Sequence, residues 1–333
     1  MHIPDNYLSP ATCAVMGAAM VPVWTMAVRK VTQEFDKARI PHMGIGAAFA
    51  FLIMMFNVPV PGGTTAHALG GTLLAVVLGP WSACICVSIA LLVQALLFGD
   101  GGILSFGANC FNMAFVCPFL GYFIYRFISQ RVKGQTGEYV GLIAGSYIGI
   151  NMAALTDAIE FGLQPLLAHN AAGQPLYCPY PLSVSIPAML IPHLAVAGVV
   201  EAAFTVAIVS FIRRVSPGMI HEGAKTRIRP IFAVLVALIC LSPLGLLAAG
   251  SAWGEWGPDE IASVANGGKA LGFVPAGMAN GFKFDAFLQD YSVKGLPDII
   301  GYIISAVAGA AILVILFRLF SLIGKSSGQR KRV

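Results

Sequence analysis

Met1 and His2 carry three nitrogens that can close on one metal ion: the α-amine, the amide nitrogen of His2 and its imidazole Nδ1. Together they would wrap the ion in consecutive five- and six-membered rings. A peptide nitrogen yields its proton only to ions that favour square-planar nitrogen fields, Ni(II) and Cu(II) above all and Co(II) less so. The bulk of His2 disfavours removal of Met1, so such a chelate would survive processing. A second imidazole lies in "NVPVPGGTTAHALGG", residues 57–71, where two prolines stiffen the backbone and Gly62-Gly63 allow a tight path. His67 reads there either as a capped loop histidine or as the fourth equatorial ligand. Thr64 and Thr65 beside it, and Asn109 and Asn112 in "DGGILSFGANCFNMAF", are candidates to orient the ligands by hydrogen bonds. The two asparagines read equally as amides that tie helices together.

Other polar residues fall inside apolar stretches, where burial is costly. His193 and Glu201 in "IPHLAVAGVVEAAFTV" are eight residues apart and share one helical face. They suggest a proton relay or bonds to neighbouring helices. Asp157 and Glu160 either cap a helix or attract cations. Cys84-x-Cys86 resembles a chelating pair, but residues two apart point to different helical faces, and packing explains them better. No Walker A sequence occurs: "GMIHEGAKT" at 218–226 has alanine where the lysine belongs. Neither Gly-x-Ser-x-Gly nor His-Glu-x-x-His is present, so hydrolytic chemistry has no candidate. Uphill movement of a substrate would need ATP hydrolysis on another chain, or an ion gradient.

The elements that would position these groups are membrane helices. Apolar residues make up 57% and charged residues 11%, where about 25% is usual, and mean hydropathy is +0.80. This composition predicts an all-α polytopic membrane protein. Charge-poor runs fall at 10–28, 41–60, 66–79, 81–98, 103–125, 139–162, 186–212, 230–249 and 299–317, about nine crossings. Seventeen of the twenty basic residues follow the first, fifth and seventh runs or make the tail, and the positive-inside rule assigns them to the cytoplasm. Returning inside by Arg126 requires an even number of passes, so 66–98 is read as a hairpin broken at Gly79-Pro80. The N-terminus is then outside and the C-terminus cytoplasmic. The basic cluster follows the first apolar run, which argues for an uncleaved helix rather than a secretory signal. Residues 250–298, with six acids, read as a small external segment. Ala14-x-x-x-Ala18 is a small-residue stripe suited to close helix approach, inside the chain or with a partner subunit.

"MHIPDNYLSP", "NVPVPGGTTAHALGGTLLAVVLGPW", "ALLFGDGGILSFGANCFNMAF" and "IPHLAVAGVVEA" resemble the NikM/CbiM-type substrate-specific subunit of energy-coupling-factor nickel and cobalt importers. The likeness covers roughly residues 1–225. Residues 229–333 look like the two-helix NikN/CbiN-like component fused behind it, which implies a metal-binding domain at 1–228 and a two-helix domain at 229–333. The resemblance implies a seven-helix metal-binding unit in the cytoplasmic membrane. It further implies Ni(II) or Co(II) as transported substrate, no organic cofactor and no enzymatic role. The ligands it implies are the Met1 amine, the His2 amide nitrogen and imidazole, and the His67 imidazole. Implied partners are a transmembrane coupling (T) subunit and separate ABC-type ATPases, with Ala14 and Ala18 on the docking face, and no nucleic acid. Asn6 departs from the pattern, since glycine commonly follows the aspartate in that family. The alternative is a proton-coupled secondary transporter using His193 and Glu201.

Overall fold

The computed structural model describes residues 1–34, 40–60, 64–219, 227–248, 251–263, 265–266 and 269–329. Gly62-Gly63, Lys37, Arg39, Lys225, Arg330, Lys331, Arg332 and most of "GMIHEGAKT" lie outside them. Nine apolar helices run through the described residues. They are α1 (Pro10–Glu34), α2 (Ile40–Met54), α3 (Gly71–Leu78), α4 (Pro80–Phe98), α5 (Phe106–Arg131), α6 (Gly134–Leu167), α7 (Leu182–Val215), α8 (Arg229–Leu247) and α9 (Asp298–Gln329). Seven are long and apolar enough to cross a membrane, and the chain is a multi-pass, all-α membrane protein.

α2 and α3 are the short ones, at 15 and 8 residues. The second expected run, 41–60, stops being helical at Met54, and the third, 66–79, becomes helical only at Gly71. Between them the chain forms an antiparallel hairpin of β1 (Val58–Val60) and β2 (Thr64–Ala66), with Val58 opposite Ala66 and Val60 opposite Thr64. Proline supplies no backbone donor for a helix, and the strand ladder satisfies amides that would otherwise be orphaned. At 8 residues α3 reaches only about 12 Å. The break at Gly79-Pro80 is present: Gly79 has φ 88°, a conformation that favours glycine, and Pro80 opens α4.

Helices pack closely where small residues meet. A Cβ on Gly145 of α6 would lie 2.4 Å from the Gly121 carbonyl oxygen of α5, so only hydrogen fits. In the same way Gly309 of α9 receives the Phe51 ring of α2, which seats the C-terminal helix on the first part of the chain. On α1, Gly17 meets Gly107 of α5, and Trp24 Nε1 donates to Ser88 of α4 (3.0 Å). Ala14 and Ala18 face outward on the same helix and are exposed. The small-residue stripe is thus divided between an internal contact at Gly17 and an uncovered outer face.

Three helices loosen into π-turns, at Gln94–Phe98, Cys110–Val116 and His193–Ala197. Such turns widen the helix locally and often accompany functional groups. Here Gln94 and His193 begin such a turn, Asn112 lies within one, and Asn109 directly precedes one.

The segment after α8 lies across the leading residues of the chain. Trp253 N donates to Thr64 Oγ1 (2.7 Å), the Tyr7 hydroxyl donates to the Trp256 carbonyl (2.9 Å), and Asn6 exchanges two hydrogen bonds with the Phe282 backbone (2.8 and 2.9 Å). Tyr7, Phe161, Tyr180, Trp253 and Trp256 form one aromatic cluster beneath it.

Candidate metal site

Residues 1–8 precede α1 and fold back among the helices. Met1, His2, Ile3, Tyr7 and Leu8 are all buried. Ile3 anchors the turn. Its N–H donates to Asn109 Oδ1 (2.8 Å), and its carbonyl accepts from Asn109 Nδ2 (3.0 Å), Gly102 N (2.8 Å) and Ser105 Oγ (2.5 Å). Asp5 accepts from the amides of Ile103 and Leu104 at 3.0 and 2.7 Å. The next residue, Asn6, has φ 68°, a left-handed conformation that glycine and asparagine adopt most readily. Asparagine therefore preserves the loop where glycine was expected, and its side chain adds the contact to Phe282.

This folding brings His2 against His67, with ring centroids 5.0 Å apart and planes tilted by 38°. His67 is 5% exposed. Its Nδ1 lies 3.1 Å from the Ala68 carbonyl, which can only accept, so Nδ1 carries the proton and Nε2 the lone pair. That Nε2 is buried and has no hydrogen-bond partner. Burial pushes the His67 pKa well below the usual histidine range, with the nearby Met1 amine, His2 and His193 adding to the effect. Burial thus favours the neutral ring, the form a metal ligand must take. The loop bearing it is pinned from α7, where Glu201 accepts from Leu69 N (2.7 Å) and Gly70 N (2.9 Å).

Two of the nitrogens at the N-terminus are each matched by a carboxylate. The Met1 amine lies 3.4 Å from Glu255 Oε1, and His2 Nδ1 lies 3.2 Å from Asp100 Oδ1. Asp100 Oδ2 in turn accepts from Tyr291 (2.5 Å) and from Gln94 Nε2 (3.1 Å), and Gln94 Oε1 is 3.4 Å from His2 Nε2. Among the described residues no group of three or more His, Cys, Asp or Glu side chains makes a metal site by itself. The nitrogen set here draws on main-chain groups as well as imidazoles.

Of the residues expected to support the ligands, Thr65 lines the cavity beside His67 and Thr64 is engaged by Trp253. Asn109 and Asn112 do not orient His67. Asn109 is consumed by Ile3, while Asn112 Nδ2 donates to Glu160 (3.0 Å), because the π-turn through 110–116 aims the two amides at different neighbours. His193 is buried, with Nδ1 on the Met189 carbonyl (2.6 Å) and Nε2 unpartnered. Gln94, Asp100, Glu255 and Tyr291 were missed by sequence reasoning. Gln94 had a signal, being the lone amide in "IALLVQALLF"; Glu255 reaches Met1 across 254 residues and Tyr291 reaches Asp100 across 191, and neither had one.

Main-chain and imidazole nitrogens thus converge, buried, inside a multi-pass helical membrane fold. Residues 2–219 match the family described as CbiM, cobalt uptake substrate-specific transmembrane region, and residues 229–325 match the PDGLE domain. The chain belongs to the CbiM family, with a PDGLE domain behind it. It is 54% identical over 321 residues to the probable fused nickel transport protein LarMN of Lactiplantibacillus plantarum, covering 96% of this chain and 97% of that one. It is 45% identical over 354 residues to the fused nickel transport protein NikMN of Rhodobacter capsulatus, covering 99% and 98%. A solved structure described as a truncated transition metal transporter is 61% identical and covers 64% of this chain and 99% of its own, with a TM-score of 0.61. The family is one of transport proteins, not enzymes.

Proposed function

We propose that this chain captures Ni(II) or Co(II) at the outer face of the cytoplasmic membrane as the substrate-specific subunit of an ATP-driven importer. The ligands are the Met1 amine, the His2 amide nitrogen, His2 Nδ1 and His67 Nε2. The observation that carries this reading is the His67 Nε2 lone pair, buried and unpartnered on a ring whose centroid lies 5.0 Å from that of His2. A buried acceptor with no donor costs about 1–3 kcal/mol, and a bound cation would remove that cost. Residues 1–228 would hold the metal, and 229–333 would contribute the two-helix part with its external segment. ATP hydrolysis falls to separate ATPases linked through a transmembrane coupling subunit, with the exposed Ala14/Ala18 face of α1 as docking surface. The alternative of proton coupling through His193 and Glu201 is weakened because both Glu201 oxygens already accept from backbone amides.

Elemental analysis of bound metal tests the reading, on protein with a C-terminal tag and an untouched N-terminus, beside the same chain carrying His2→Ala. Near-stoichiometric nickel or cobalt that vanishes in His2→Ala supports it. Equal metal in both proteins places the site elsewhere and overturns it.

A further inference from the structure

The nitrogens account for how an ion is held, but not for how a hydrated one arrives. His2 and His67 line a cavity of about 480 Å³ whose walls also include Asp100, Glu255 and Asp290. Among the described residues no lysine or arginine lines it. Glu255 lies at a junction, since it also lines a neighbouring cavity of about 660 Å³ with Asp259 and Asp285, where Lys283 is the one cation among the described lining residues. Carboxylates thus line two neighbouring cavities that share Glu255, one of which also holds the imidazoles.

The size and chemistry suit a hydrated divalent cation. Six waters at about 30 Å³ each need roughly 180 Å³, well within the inner cavity. Carboxylates accept hydrogen bonds from metal-bound water, and a cavity of one charge sign raises the local concentration of counter-ions. The inner end is the independent sign of a ligand: His67 Nε2 is a lone pair nine-tenths buried, partnerless and in the wall of the same cavity. Asp290 has φ 53° and the following Tyr291 φ 58°, two consecutive left-handed residues without glycine. Such backbone is strained and persists only where its surroundings hold it. It is held by Tyr291, whose ring stacks on Phe98 (4.8 Å) and whose hydroxyl donates to Asp100.

We propose that Asp100, Glu255 and Asp290 form an oxygen-lined antechamber that takes the hydrated divalent cation through its water shell and passes it to the nitrogens of Met1, His2 and His67. The proposal rests on the capture reading above and assigns the 251–298 segment a part in loading. Asp100 and Glu255 hold the chelating nitrogens while the site is empty of cation, and the arriving ion draws both carboxylates towards itself as the nitrogens turn to it. As the nitrogens bind, the ion sheds the waters they replace, and the Met1 ammonium and the His2 amide each release a proton to solvent.

The test is stopped-flow binding of Co(II) to the full-length chain in detergent, with metal content at equilibrium measured alongside. Asp290→Asn retains the left-handed backbone and touches no nitrogen ligand, and Glu255→Gln removes the charge next to Met1. Both are expected to lower the association rate about 3–10-fold and to flatten its dependence on ionic strength, and Asp290→Asn is expected to change final metal content little. Glu255→Asp restores most of the rate. A faster association in Glu255→Gln would show that Glu255 only obstructs the amine, and would overturn the proposal. So would unchanged rates in both charge-neutralised variants. Loss of metal in neither wild type nor His2→Ala overturns the capture reading instead, so the two failures are distinguishable.

Discussion

Asn109 holds both backbone groups of Ile3, accepting from its N–H at 2.8 Å and donating to its carbonyl at 3.0 Å, across 106 residues of sequence. A carboxamide can act as donor and acceptor to one residue at once, so a side chain of α5 substitutes here for a strand partner. The pairing fixes the residue after His2 and hence the direction of the chelating end. Asn109→Ala would leave a buried N–H unsatisfied, at about 1–3 kcal/mol. Loss of a group that orients metal ligands typically costs 10–100-fold in affinity. Nickel titration of Asn109→Ala should therefore show a 10–100-fold weaker site with all four ligands still present. Asn109→Asp, which keeps the acceptor and loses the donor, should fall between. Wild-type affinity in both variants would mean that the loop is held by Asp5 and Ser105 alone.

The sequence already contained most of this arrangement, though unevenly. Helices were legible because the charge-free runs are long and the basic residues cluster at their ends. The kink at Gly79-Pro80 was legible because proline and glycine act locally. The length of α2 and α3 was not, since hydropathy cannot tell an apolar helix from an apolar hairpin whose amides pair across β1 and β2. Met1, His2 and His67 were legible as chemistry, and the structure brings His2 and His67 into contact. Their carboxylate partners were not, because Glu255 reaches Met1 across 254 residues and no local pattern announces such a contact.

Asn6 separates backbone conformation from side-chain contact. Glycine tolerates φ 68° and lacks the side chain, whereas alanine lacks the contact and resists the conformation. Asn6→Gly should keep metal binding near wild type while loosening the 251–298 segment, because two hydrogen bonds to Phe282 are lost, worth about 1 kcal/mol each. Asn6→Ala adds about 1–2 kcal/mol for the left-handed conformation. Limited proteolysis between 251 and 298 reads the difference, with the order wild type, Asn6→Gly, Asn6→Ala in rising susceptibility. Equal susceptibility of the two variants would remove the conformational argument.

Glu201 distinguishes a structural carboxylate from a proton carrier. Its oxygens accept from Leu69 and Gly70, two and three residues after His67, so the side chain positions a ligand-bearing loop. Glu201→Ala leaves two amides without acceptors and should cost several kcal/mol by the same arithmetic of about 1–3 kcal/mol per orphaned group. A lower melting temperature and weaker metal binding should appear together. Glu201→Gln retains one acceptor oxygen and should lie between wild type and Glu201→Ala in both measurements. A Glu201→Gln chain that melts and binds metal like wild type yet loses uptake would instead restore the proton-relay reading.

Cys178 reports on how the external segment is seated. Its backbone N–H donates to the Tyr7 carbonyl (2.9 Å), and its side chain is fully buried in the small core that also contains Tyr7, Tyr180, Ile261 and Met278. Burial pushes the thiol pKa up to about 12, so at neutral pH almost none of the reactive thiolate exists. Among the seven cysteines Cys240 is the exposed one, and Cys240→Ser removes it as a competing target. A Cys240→Ser chain treated with maleimide at neutral pH should gain no adduct by intact-protein mass spectrometry. Adding Trp256→Ala removes the ring that packs on Tyr180 and Trp253 while keeping the carbonyl that accepts from Tyr7, and one adduct should appear at Cys178. Addition of nickel before maleimide should slow that labelling, because an ion held by Met1 and His2 steadies the loop whose Tyr7 covers the thiol. Labelling of Cys178 in the Cys240→Ser chain with Trp256 intact would show that the segment does not seal this core.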